Sequence, residues 1–381
     1  MIRVAYLIRA LETGGAERQL VALAKALDPR EFEVSVLTFY DRGPLGAELA
    51  DSGVPVISLD KGGRWDLVAF LRRLREALRR RQPDILHSYL TMANLFGLAT
   101  RRAVPNAKLV WGRRASAMDM DHYDFWTGAT EWFERRCAGR PDMIVFNAEA
   151  GRREYRTKSA RPRRAEVVPN GTDCTRFAPR PAARAGLRAA WSIAPEAPLI
   201  GIVARLDPMK GHAVFLEAAA LALRQRPDLR FICIGGGPLA ESLHEKCASL
   251  GLSDVVVWAS ERHDIPEALS ALDLHSSASI FGEGFSNAIA ESMAAGLPNV
   301  VTDVGDSARI VGETGLSVPP NQPAALARSW LDILGRDLQA RQALGQSARQ
   351  RILDNFSLDS MVQRTAALYR SLQAGRAAKG A

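Results

Sequence analysis

The strongest constraint on the fold is an alternation of short apolar segments with helical patterns, which occurs twice along the chain. In the first half, amphipathic patterns such as residues 16–27 and 65–81 separate the apolar segments. Strands that alternate with helices in this way form a parallel sheet that is covered on both faces. We therefore predict strands at residues 3–8, 33–39, 54–59, 84–88, 108–111 and 143–147.

The alternation pauses in the middle of the chain and then restarts. Residues 167–186 are rich in proline, glycine and polar residues, which is typical of a segment between domains. Further strands are predicted at residues 199–206, 230–237, 255–260, 272–278, 298–304 and 315–319. The sequence thus predicts an α/β protein with two tandem Rossmann-like doubly wound domains. A cleft would lie between the carboxyl ends of the two sheets, where such folds bind ligands.

The length of 381 residues fits two domains better than one hydrophobic core. We place an N-terminal domain at residues 1–172, a linker at 173–184 and a C-terminal domain at 185–357. The last helical pattern, residues 358–381, is expected to pack back on the N-terminal domain.

The net charge of +8 is concentrated in the first half of the chain. Residues 1–180 contain 31 basic and 22 acidic residues, whereas the remainder contains 19 basic and 20 acidic residues. Such an excess attracts an anionic partner, namely membrane lipid, a diphosphate carrier or nucleic acid. The alternative is a set of solvated helix faces that bind nothing.

No apolar segment approaches the roughly 18 consecutive residues that cross a bilayer, and the N-terminus has the wrong flanks for a signal peptide. The four cysteines show neither CxxC pairing nor metal-ligand spacing, which favours free thiols in a reducing compartment. We therefore expect a cytoplasmic protein. Phe125, Trp126, Ala129, Trp132 and Phe133 recur at helical spacing. Such a stripe usually packs on the core, and the alternative is an interfacial membrane face.

The segment FGEGFSNAIAE, residues 281–291, places two carboxylates around the start of a helix that we predict over 285–297. Gly284 lets the backbone approach a ligand, and the positive end of the helix dipole favours phosphate there. Glu283 and Glu291 can lie ~10 Å apart, which suits a nucleotide sugar, with hydroxyl groups at both ends and phosphates between. The N–H groups that would face this ligand belong to Phe285, Ser286 and Asn287. The alternative is that Glu283 only caps the helix and Glu291 faces solvent.

The positive charge that a diphosphate needs occurs in VARLDPMKGH, residues 203–212. Arg205 can bind two phosphate oxygens in a fork, and Lys210 adds a point charge. Near the N-terminus, Gly14 and Gly15 follow the first strand and let a loop reach over the cleft, although a glycine turn after a strand is a weak signal. The alternative for Arg205 and Lys210 is a pair of solvated cations in a surface loop.

Taken together, these segments resemble glycosyltransferase family 4. Glu283 and Glu291 are similar to the E-x7-E motif of retaining glycosyltransferases with the GT-B fold. The segments TGGAE, VVPNGTD and VARLDPMKGH resemble the first glycine loop of the family, the segment before its linker and its Arg/Lys donor loop. The resemblance covers nearly the whole chain and is most specific in the second half. It implies the GT-B fold and a nucleotide-sugar donor.

The resemblance also implies roles for individual residues. Arg205 and Lys210 would hold the diphosphate and stabilise the leaving nucleotide, and Glu283 would bind hydroxyl groups of the transferred sugar. These three are the predicted catalytic residues. Glu291 would bind the ribose, and Gly15 would donate its N–H to the phosphates. The other predicted donor-binding residues are Arg262 and His263 beside the base, together with Gly14, Gly284, Phe285, Ser286 and Asn287.

The acceptor side departs from the family pattern. In several relatives a histidine after the fifth strand approaches the donor sugar, whereas here the matching position falls on Gly112 or Arg113. Arg113 can instead contact phosphate or an anionic acceptor. The acidic segment at 119–121 is interpreted as an acceptor-side loop, with a metal site and a solvated turn as alternatives. The predicted acceptor-side residues are His87, Arg113, Asp119 and His122. For His87 the alternative is a hydrogen-bonded structural histidine.

The resemblance implies a retaining transfer of a hexose or N-acetylhexosamine from a nucleoside diphosphate, UDP being favoured over GDP. Arg205, Lys210 and the helix dipole would offset the charge of the leaving diphosphate without a metal. The expected acceptor is a glycan, or a glycan on a polyprenyl diphosphate, in bacterial surface polysaccharide synthesis. The basic N-terminal domain would contact the anionic inner face of the cell membrane. No cofactor, metal or nucleic acid is expected as a partner.

Other function classes remain open. A nucleotide-sugar epimerase of the same shape would release an altered sugar nucleotide with no acceptor present. A basic nucleic-acid-binding protein would show salt-sensitive retention on DNA, although no zinc finger or recognition-helix pattern supports it. A nicotinamide-dependent enzyme is disfavoured, because the segment IGGGPLAES at 234–242 lacks the third glycine of the dinucleotide-binding motif.

Overall fold

Two parallel sheets organise the chain. The computed structural model describes residues 1–63, 65–114, 125–157 and 161–380, and their side chains except those of 125–127 and 375–380. The chain divides into a first unit, Met1–Gly171 with Leu358–Ala381, and a second unit, Thr172–Ser357. Each unit has one sheet with helices packed on it, so the predicted fold class of two tandem Rossmann-like domains is confirmed.

The first unit is built on a sheet of parallel strands. These are β1 (Ile2–Ile8), β2 (Phe32–Thr38), β3 (Val56–Ser58), β4 (Ile85–Tyr89), β5 (Lys108–Arg113), β6 (Met143–Phe146) and β7 (Ala165–Val167). Their order in the sheet is β3-β2-β1-β4-β5-β6-β7. The helices are α1 (Gly15–Ala26), α2 (Leu45–Asp51), α3 (Leu67–Arg81), α4 (Thr91–Thr100), α5 (Phe125–Arg136), α6 (Glu149–Thr157) and the C-terminal α15 (Leu358–Gly380).

Helices cover both faces of this first sheet. On one face, α1 and α15 pack over the buried ring of Tyr6, and Tyr369 of α15 belongs to the same core. On the other face, α3 buries Phe70, Leu74 and Leu78, which recur at a spacing of four and so form one stripe of the helix. The arginines of α3 lie mainly on its exposed side. The C-terminal helix is thus part of the first unit.

The second unit contains a second parallel sheet. Its strands are β8 (Leu199–Val203), β9 (Arg230–Ile234), β10 (Val256–Trp258), β11 (Leu274–Ser277), β12 (Asn299–Thr302) and β13 (Leu316–Val318). Their order is β10-β9-β8-β11-β12-β13. The helices are α7 (Pro181–Ala190), α8 (His212–Leu223), α9 (Ala240–Ser249), α10 (Ile265–Ser270), α11 (Asn287–Ala294), α12 (Ser307–Val311), α13 (Pro323–Gly335) and α14 (Leu338–Asn355).

Aromatic side chains anchor the two faces of the second sheet. On one face, the rings of Phe215 and Trp330 lie 5.1 Å apart, and Phe231 completes the group. On the other face, Phe285 packs against Phe356 at 5.4 Å between ring centroids. These contacts hold the helices that carry the candidate site against the strands.

Two segments differ from the sequence prediction. Strand β7 was not predicted, because its three residues adjoin the polar and proline-rich stretch that follows. Residues 173–184, predicted as a linker, belong to the second unit, and helix α7 begins at Pro181, where proline suits the first turn of a helix.

The last two aromatic residues of the predicted stripe are not buried in helix α5. Trp132 and Phe133 are 64% and 52% exposed, whereas Glu131 and Glu134 are buried. The inward face of α5 therefore carries carboxylates, which pair with Arg113 of β5. Within the described residues, no helix is both long enough and apolar enough to cross a membrane.

Candidate active site

Two loops of the second unit meet at the carboxyl ends of β8 and β11. The backbone N–H of Ile280 donates to the carbonyl oxygen of Met209 at 2.9 Å and joins them. Gly211 has a φ of +66°, and a Cβ there would lie 1.9 Å from the carbonyl oxygen of Ala278, so this approach requires glycine. Open α/β sheets bind ligands at the carboxyl ends of their strands, which makes this junction the candidate site.

The junction brings Lys210 next to Glu283. The Nζ atom of Lys210 lies 2.5 Å from Oε1 of Glu283, and the hydroxyl of Ser279 donates to the same oxygen at 2.8 Å. Ser279 is itself held by Thr302, whose hydroxyl donates to its carbonyl oxygen at 2.6 Å. Glu283 is only 5% exposed. The carboxylate is therefore fixed through one oxygen, while Oε2 receives no hydrogen bond from the described residues.

The loop after β12 fixes the backbone beside this carboxylate. The N–H of Asp306 donates to the carbonyl oxygen of Gly284 at 3.0 Å. Gly305 has a φ of +65°, and a Cβ there would lie 2.3 Å from the carbonyl oxygen of Glu283. Glycine is therefore needed at 305 for the two loops to touch, and the peptide between Glu283 and Gly284 has a fixed orientation.

Helix α11 starts two residues later than predicted. Ser286 is its N-cap residue with extended backbone, and Asn287 is the first helical residue. Phe285 is not helical, because its side chain is drawn into the core against Phe356. Glu291 is half-buried and lies about one turn after Asn287. The two glutamates of the motif thus flank the first turn of a buried helix.

Arg205 is oriented by an acidic neighbour. Its Nε and Nη2 atoms lie 3.1 Å and 2.5 Å from Oδ2 of Asp207, although the arginine side chain is 78% exposed. Asp207 is buried, and its Oδ1 atom has no hydrogen-bond partner among the described residues. Asp207 thus holds an exposed guanidinium in the loop that also carries Lys210.

His212 opens helix α8 directly behind Lys210. Its ring is buried, and neither ring nitrogen has a hydrogen-bond partner among the described residues. Burial, with a smaller contribution from Lys210 and against the opposing effect of Asp207, lowers the pKa of His212 to about 4. The ring is therefore neutral at physiological pH and adds no charge to the site.

The residues predicted beside the base follow β10. Arg262 donates to both carboxylate oxygens of Asp264, at 2.8 Å and 2.5 Å, and its guanidinium lies 5.5 Å from the ring centroid of Trp191. His263 is exposed. The N–H of Gly235 donates to the carbonyl oxygen of Ser260 at 2.8 Å, which ties this loop to the one after β9.

In the first unit, Gly14 and Gly15 begin helix α1. Gly14 is the N-cap residue with extended backbone, and a Cβ there would lie 2.3 Å from a carboxylate oxygen of Glu17. Burial, with Glu12 adding to it, raises the pKa of Glu17. Farther along the helix, the Gln19 side chain accepts from the N–H of Gly171 and donates to its carbonyl oxygen, both at 2.9 Å.

His87 lies inside the first unit. It is 1% exposed on β4, and its Nδ1 atom is 2.7 Å from the hydroxyl of Tyr369 on α15. Burial, with a further effect of Arg114, lowers the pKa of His87 well below its usual range. This position favours a structural histidine over the acceptor contact that we predicted.

Arg113 is buried in a network of ion pairs. Its guanidinium pairs with Glu134 and, at 3.1 Å, with Glu131 on α5, and Asn94 also donates to Glu134. Burial alone would lower the pKa of Arg113, but these carboxylates outweigh it and raise the pKa. The structure does not favour the predicted contact of Arg113 with an anionic acceptor, because its guanidinium is buried between two carboxylates.

The next residue, Arg114, has a different environment. Its guanidinium lies 4.3 Å from the ring centroid of Tyr89, and Nη1 donates to Oδ1 of Asn170 at 3.3 Å. Among the described residues it has no ion-pair partner, and its buried Nε atom has no acceptor. Sequence analysis missed this residue, because the two adjacent arginines look alike in the sequence.

Asp119 and His122 lie outside the described residues. Among the residues that the structure does describe, no group of three or more His, Cys, Asp or Glu side chains is placed to hold a metal ion. Sequence analysis also missed Ser279 and Thr302. The signal for Ser279, a hydroxyl four residues before Glu283, was present but unspecific.

The chain matches two family models in tandem. Residues 13–176 match the model described as Glycosyltransferase Family 4, and residues 197–336 match the model described as Glycosyl transferases group 1. The first match lies within the first unit apart from its last residues, and the second lies within the second unit.

Three relatives are named as glycosyltransferases or mannosyltransferases. The D-inositol 3-phosphate glycosyltransferase of Streptomyces scabiei is 29% identical over 394 residues, covering 94% of this chain and 86% of that protein. The putative glycosyltransferase EpsF of Bacillus subtilis is 24% identical over 313 residues, 79% of each chain. The GDP-mannose-dependent alpha-(1-6)-phosphatidylinositol monomannoside mannosyltransferase of Mycolicibacterium smegmatis is 28% identical over 302 residues, 74% of this chain and 77% of that protein.

Solved structures share the fold over almost the whole chain. HepE of Anabaena in complex with UDP-glucose aligns with a TM-score of 0.85 at 22% identity, covering 97% of this chain and all of that chain. The sucrose-phosphate synthase of Thermosynechococcus elongatus aligns with a TM-score of 0.83 at 20% identity, covering 98% of this chain and all of that chain. Together with the two family models, these findings show that the chain belongs to the family 4, group 1 glycosyltransferases and has the GT-B fold.

Proposed function

We propose that the protein is a retaining, metal-independent glycosyltransferase. It transfers a hexose or N-acetylhexosamine from a nucleoside diphosphate sugar to a glycan or lipid-linked glycan. The observation that carries this proposal is the cluster of Lys210, Glu283 and Ser279, in the same pair of loops as Arg205. It combines a cation for phosphate with a buried carboxylate whose Oε2 atom receives no hydrogen bond from a described residue and can accept from sugar hydroxyls.

Charge explains how this cluster would act. Cleavage of the anomeric bond leaves a negative diphosphate and an oxocarbenium-like sugar. Arg205, which Asp207 orients, and Lys210 stabilise the diphosphate, because preorganised cations in a partly buried site need little rearrangement as charge develops. Oε2 of Glu283 accepts from hydroxyl groups of the sugar. The acceptor hydroxyl attacks the anomeric carbon on the face from which the nucleoside diphosphate leaves, and its proton passes to an oxygen of the leaving phosphate, so that the configuration at the anomeric carbon is retained.

The comparisons include proteins with two different kinds of nucleotide sugar. HepE, which shares the fold, was solved with UDP-glucose, and a mycobacterial relative is named as GDP-mannose-dependent. We favour UDP over GDP, since the structures that align over nearly the whole chain include UDP complexes. The side chain of Arg262 is already paired with Asp264, so the base would be read largely by the backbone of this loop.

The surface of the first unit supports an acceptor at a membrane. Trp65, two residues before α3, and Val68, in its first turn, are 90% and 84% exposed, and the exposed side of the helix carries Arg72, Arg75 and Arg79. An exposed tryptophan beside a helix face that carries arginines suits the interface of an anionic lipid layer. We therefore propose a polyprenyl-linked glycan acceptor in surface polysaccharide synthesis, used at the inner face of the cell membrane.

A transfer assay tests this proposal. The protein is incubated in EDTA with UDP-glucose, UDP-N-acetylglucosamine or GDP-mannose, with and without polyprenyl-diphosphate-linked sugars, and the anomeric configuration of any product is read by NMR. Transfer with retention in the presence of EDTA is expected. An inverted product or a requirement for metal would contradict the mechanism, and an altered sugar nucleotide formed without acceptor would indicate an epimerase.

Lys246 provides a matched control for the catalytic lysine. It forms an ion pair with Glu217, also at 2.5 Å and in the same unit, but on the outer surface between α9 and α8. Lys210→Ala should reduce transfer by about 100-fold, as expected for the loss of one charge that stabilises the transition state. Lys246→Ala should leave transfer within twofold of wild type.

A further inference from the structure

The first unit contains an arginine, Arg114, that forms no ion pair with any residue that the structure describes. Arg114 follows β5 directly, and the Cζ atom of its guanidinium lies over the ring of Tyr89, 4.3 Å from the ring centroid. Its hydrogen bond to Asn170 is long, at 3.3 Å, and goes to a neutral amide. Neighbouring Arg113, in contrast, is paired with two carboxylates. Arg113 therefore has a structural role, whereas the guanidinium of Arg114 still has N–H groups that can donate to a ligand.

Buried neighbours and hydrogen bonds fix the position of Arg114. Asn147, just after β6, donates to the carbonyl oxygen of Arg114 at 3.3 Å, so the backbone is held as well as the side chain. Tyr89 and Asn170 are both buried, at 1% and 4% exposure. Residue 171, next to Asn170, is clamped to α1 by Gln19. Residues at the end of β4 and just after β7 thus hold the guanidinium of Arg114, and Asn147 after β6 holds its backbone, at the carboxyl edge of the sheet.

The charge of Arg114 affects the pKa of two buried side chains. After burial itself, Arg114 is the second cause that lowers the pKa of His87, and it also opposes the raised pKa of Tyr89. An arginine at a ligand-binding edge, held by an aromatic ring and an amide, is well suited to bind phosphate in a fork.

We infer that Arg114 is a binding site for a phosphate or diphosphate group of a substrate, and that Tyr89 and Asn170 hold it for this purpose. This inference rests on the proposed function. The phosphate can belong to the acceptor, which would then be an anionic molecule such as a sugar on a lipid diphosphate, or to the donor.

Titrations with two anions distinguish these sources. UDP is titrated alone, and inorganic pyrophosphate is titrated against protein saturated with UDP, so that the donor site is filled. Arg114→Gln should weaken pyrophosphate binding by at least tenfold if the phosphate belongs to the acceptor. It should weaken UDP binding instead if the phosphate belongs to the donor. Either result supports the phosphate site.

Two further variants make the test decisive. Arg114→Lys retains the charge and should lose less affinity than Arg114→Gln. Arg102→Gln removes the same charge from an exposed position just after α4 and should change neither titration. If Arg114→Gln binds both anions within twofold of wild type and unfolds at the same temperature, the inference is wrong. If wild type binds no UDP, the donor assignment has failed, and pyrophosphate without UDP still tests Arg114 by the same comparison.

Discussion

The ammonium group of Lys210 and the carboxylate of Glu283 form an ion pair at 2.5 Å, with the carboxylate side chain only 6% exposed. A buried pair of this kind is costly to break by removal of one partner, because the other charge is left without compensation. Before a donor binds, each group thus neutralises the other. A bound diphosphate can share the lysine, and sugar hydroxyls can use the free oxygen of Glu283, without the pair having to separate.

Replacement of Glu283 by glutamine should separate sugar recognition from nucleotide binding. The amide keeps the shape but loses the charged acceptor, so kcat/KM for transfer should fall by about 100-fold. UDP affinity should remain equal or increase, because Lys210 becomes free to bind phosphate. Steady-state kinetics and UDP titration of the same variant check this. A parallel loss of UDP affinity would show that Glu283 does not act on the sugar.

Ser279 should act as a positioning residue for Glu283. Ser279→Ala removes the hydrogen bond to Oε1, so the KM for the sugar donor should rise by about tenfold, in line with the loss of one hydrogen bond to a charged group. The Kd for UDP should not change. Ser277→Ala is the control, since it lies two residues away and its hydroxyl makes no hydrogen bond with a described residue. Equal effects of both variants on KM would exclude the positioning role.

Arg113 should matter for stability rather than for substrate binding. Arg113→Ala leaves Glu134 buried without its partner, which should cost about 3–5 kcal/mol of the free energy of unfolding. Urea denaturation measures the free energy of unfolding of this variant and of Arg75→Ala. The Arg75→Ala variant should be almost as stable as wild type. Unchanged stability of Arg113→Ala, together with loss of acceptor binding, would restore our original prediction for this residue.

The buried His212 should make the protein less stable in acid. Its folded pKa of about 4 lies below the ordinary 6.5, so between these pH values the unfolded chain binds a proton that the folded chain excludes. Stability is thus fully present above pH 6.5 and falls as the pH drops toward 4. The facing charges, Asp207 and Lys210, act in opposite directions.

The variant His212→Leu removes this proton from the balance. The free energy of unfolding lost by wild type between pH 7 and pH 5 should exceed the loss in the variant by about 2 kcal/mol. His275, whose pKa burial also lowers to about 4, contributes equally to both proteins and cancels in the comparison. Identical pH dependence of the two proteins, measured by urea unfolding, would mean that His212 is not excluded from protonation as described.

Much of the fold could be predicted from the sequence, because the periodicity of apolar residues and the glycines and prolines that end helices and strands are local properties. All twelve predicted strands agree with the observed strands to within three residues at each end, although β3, β10 and β13 are only three residues long. The start of α11 was misplaced, since nothing local shows that Phe285 packs against Phe356, which lies far away in the chain. Strand β7 was missed because three residues carry too little periodicity.

The candidate site could be predicted only in part, because its contacts depend on how distant segments of the chain pack together. Motif spacing pointed to Lys210 and Glu283, but it did not reveal their ion pair or the hydroxyl of Ser279, which depend on how two loops meet. Arg113 and Arg114 are neighbours on a strand end, and successive side chains point in opposite directions. Which of them meets the carboxylates of α5 is a property of the tertiary packing alone.

The most direct test of the central claim, that the second unit binds a nucleoside diphosphate through Lys210, is a calorimetric titration of UDP in EDTA. Wild type, Lys210→Ala and Lys246→Ala are compared under the same conditions. We predict that UDP binds to wild type and Lys246→Ala alike, and at least tenfold more weakly to Lys210→Ala. Equal binding to all three proteins would contradict the assignment of the donor site to the loops that carry Lys210 and Glu283.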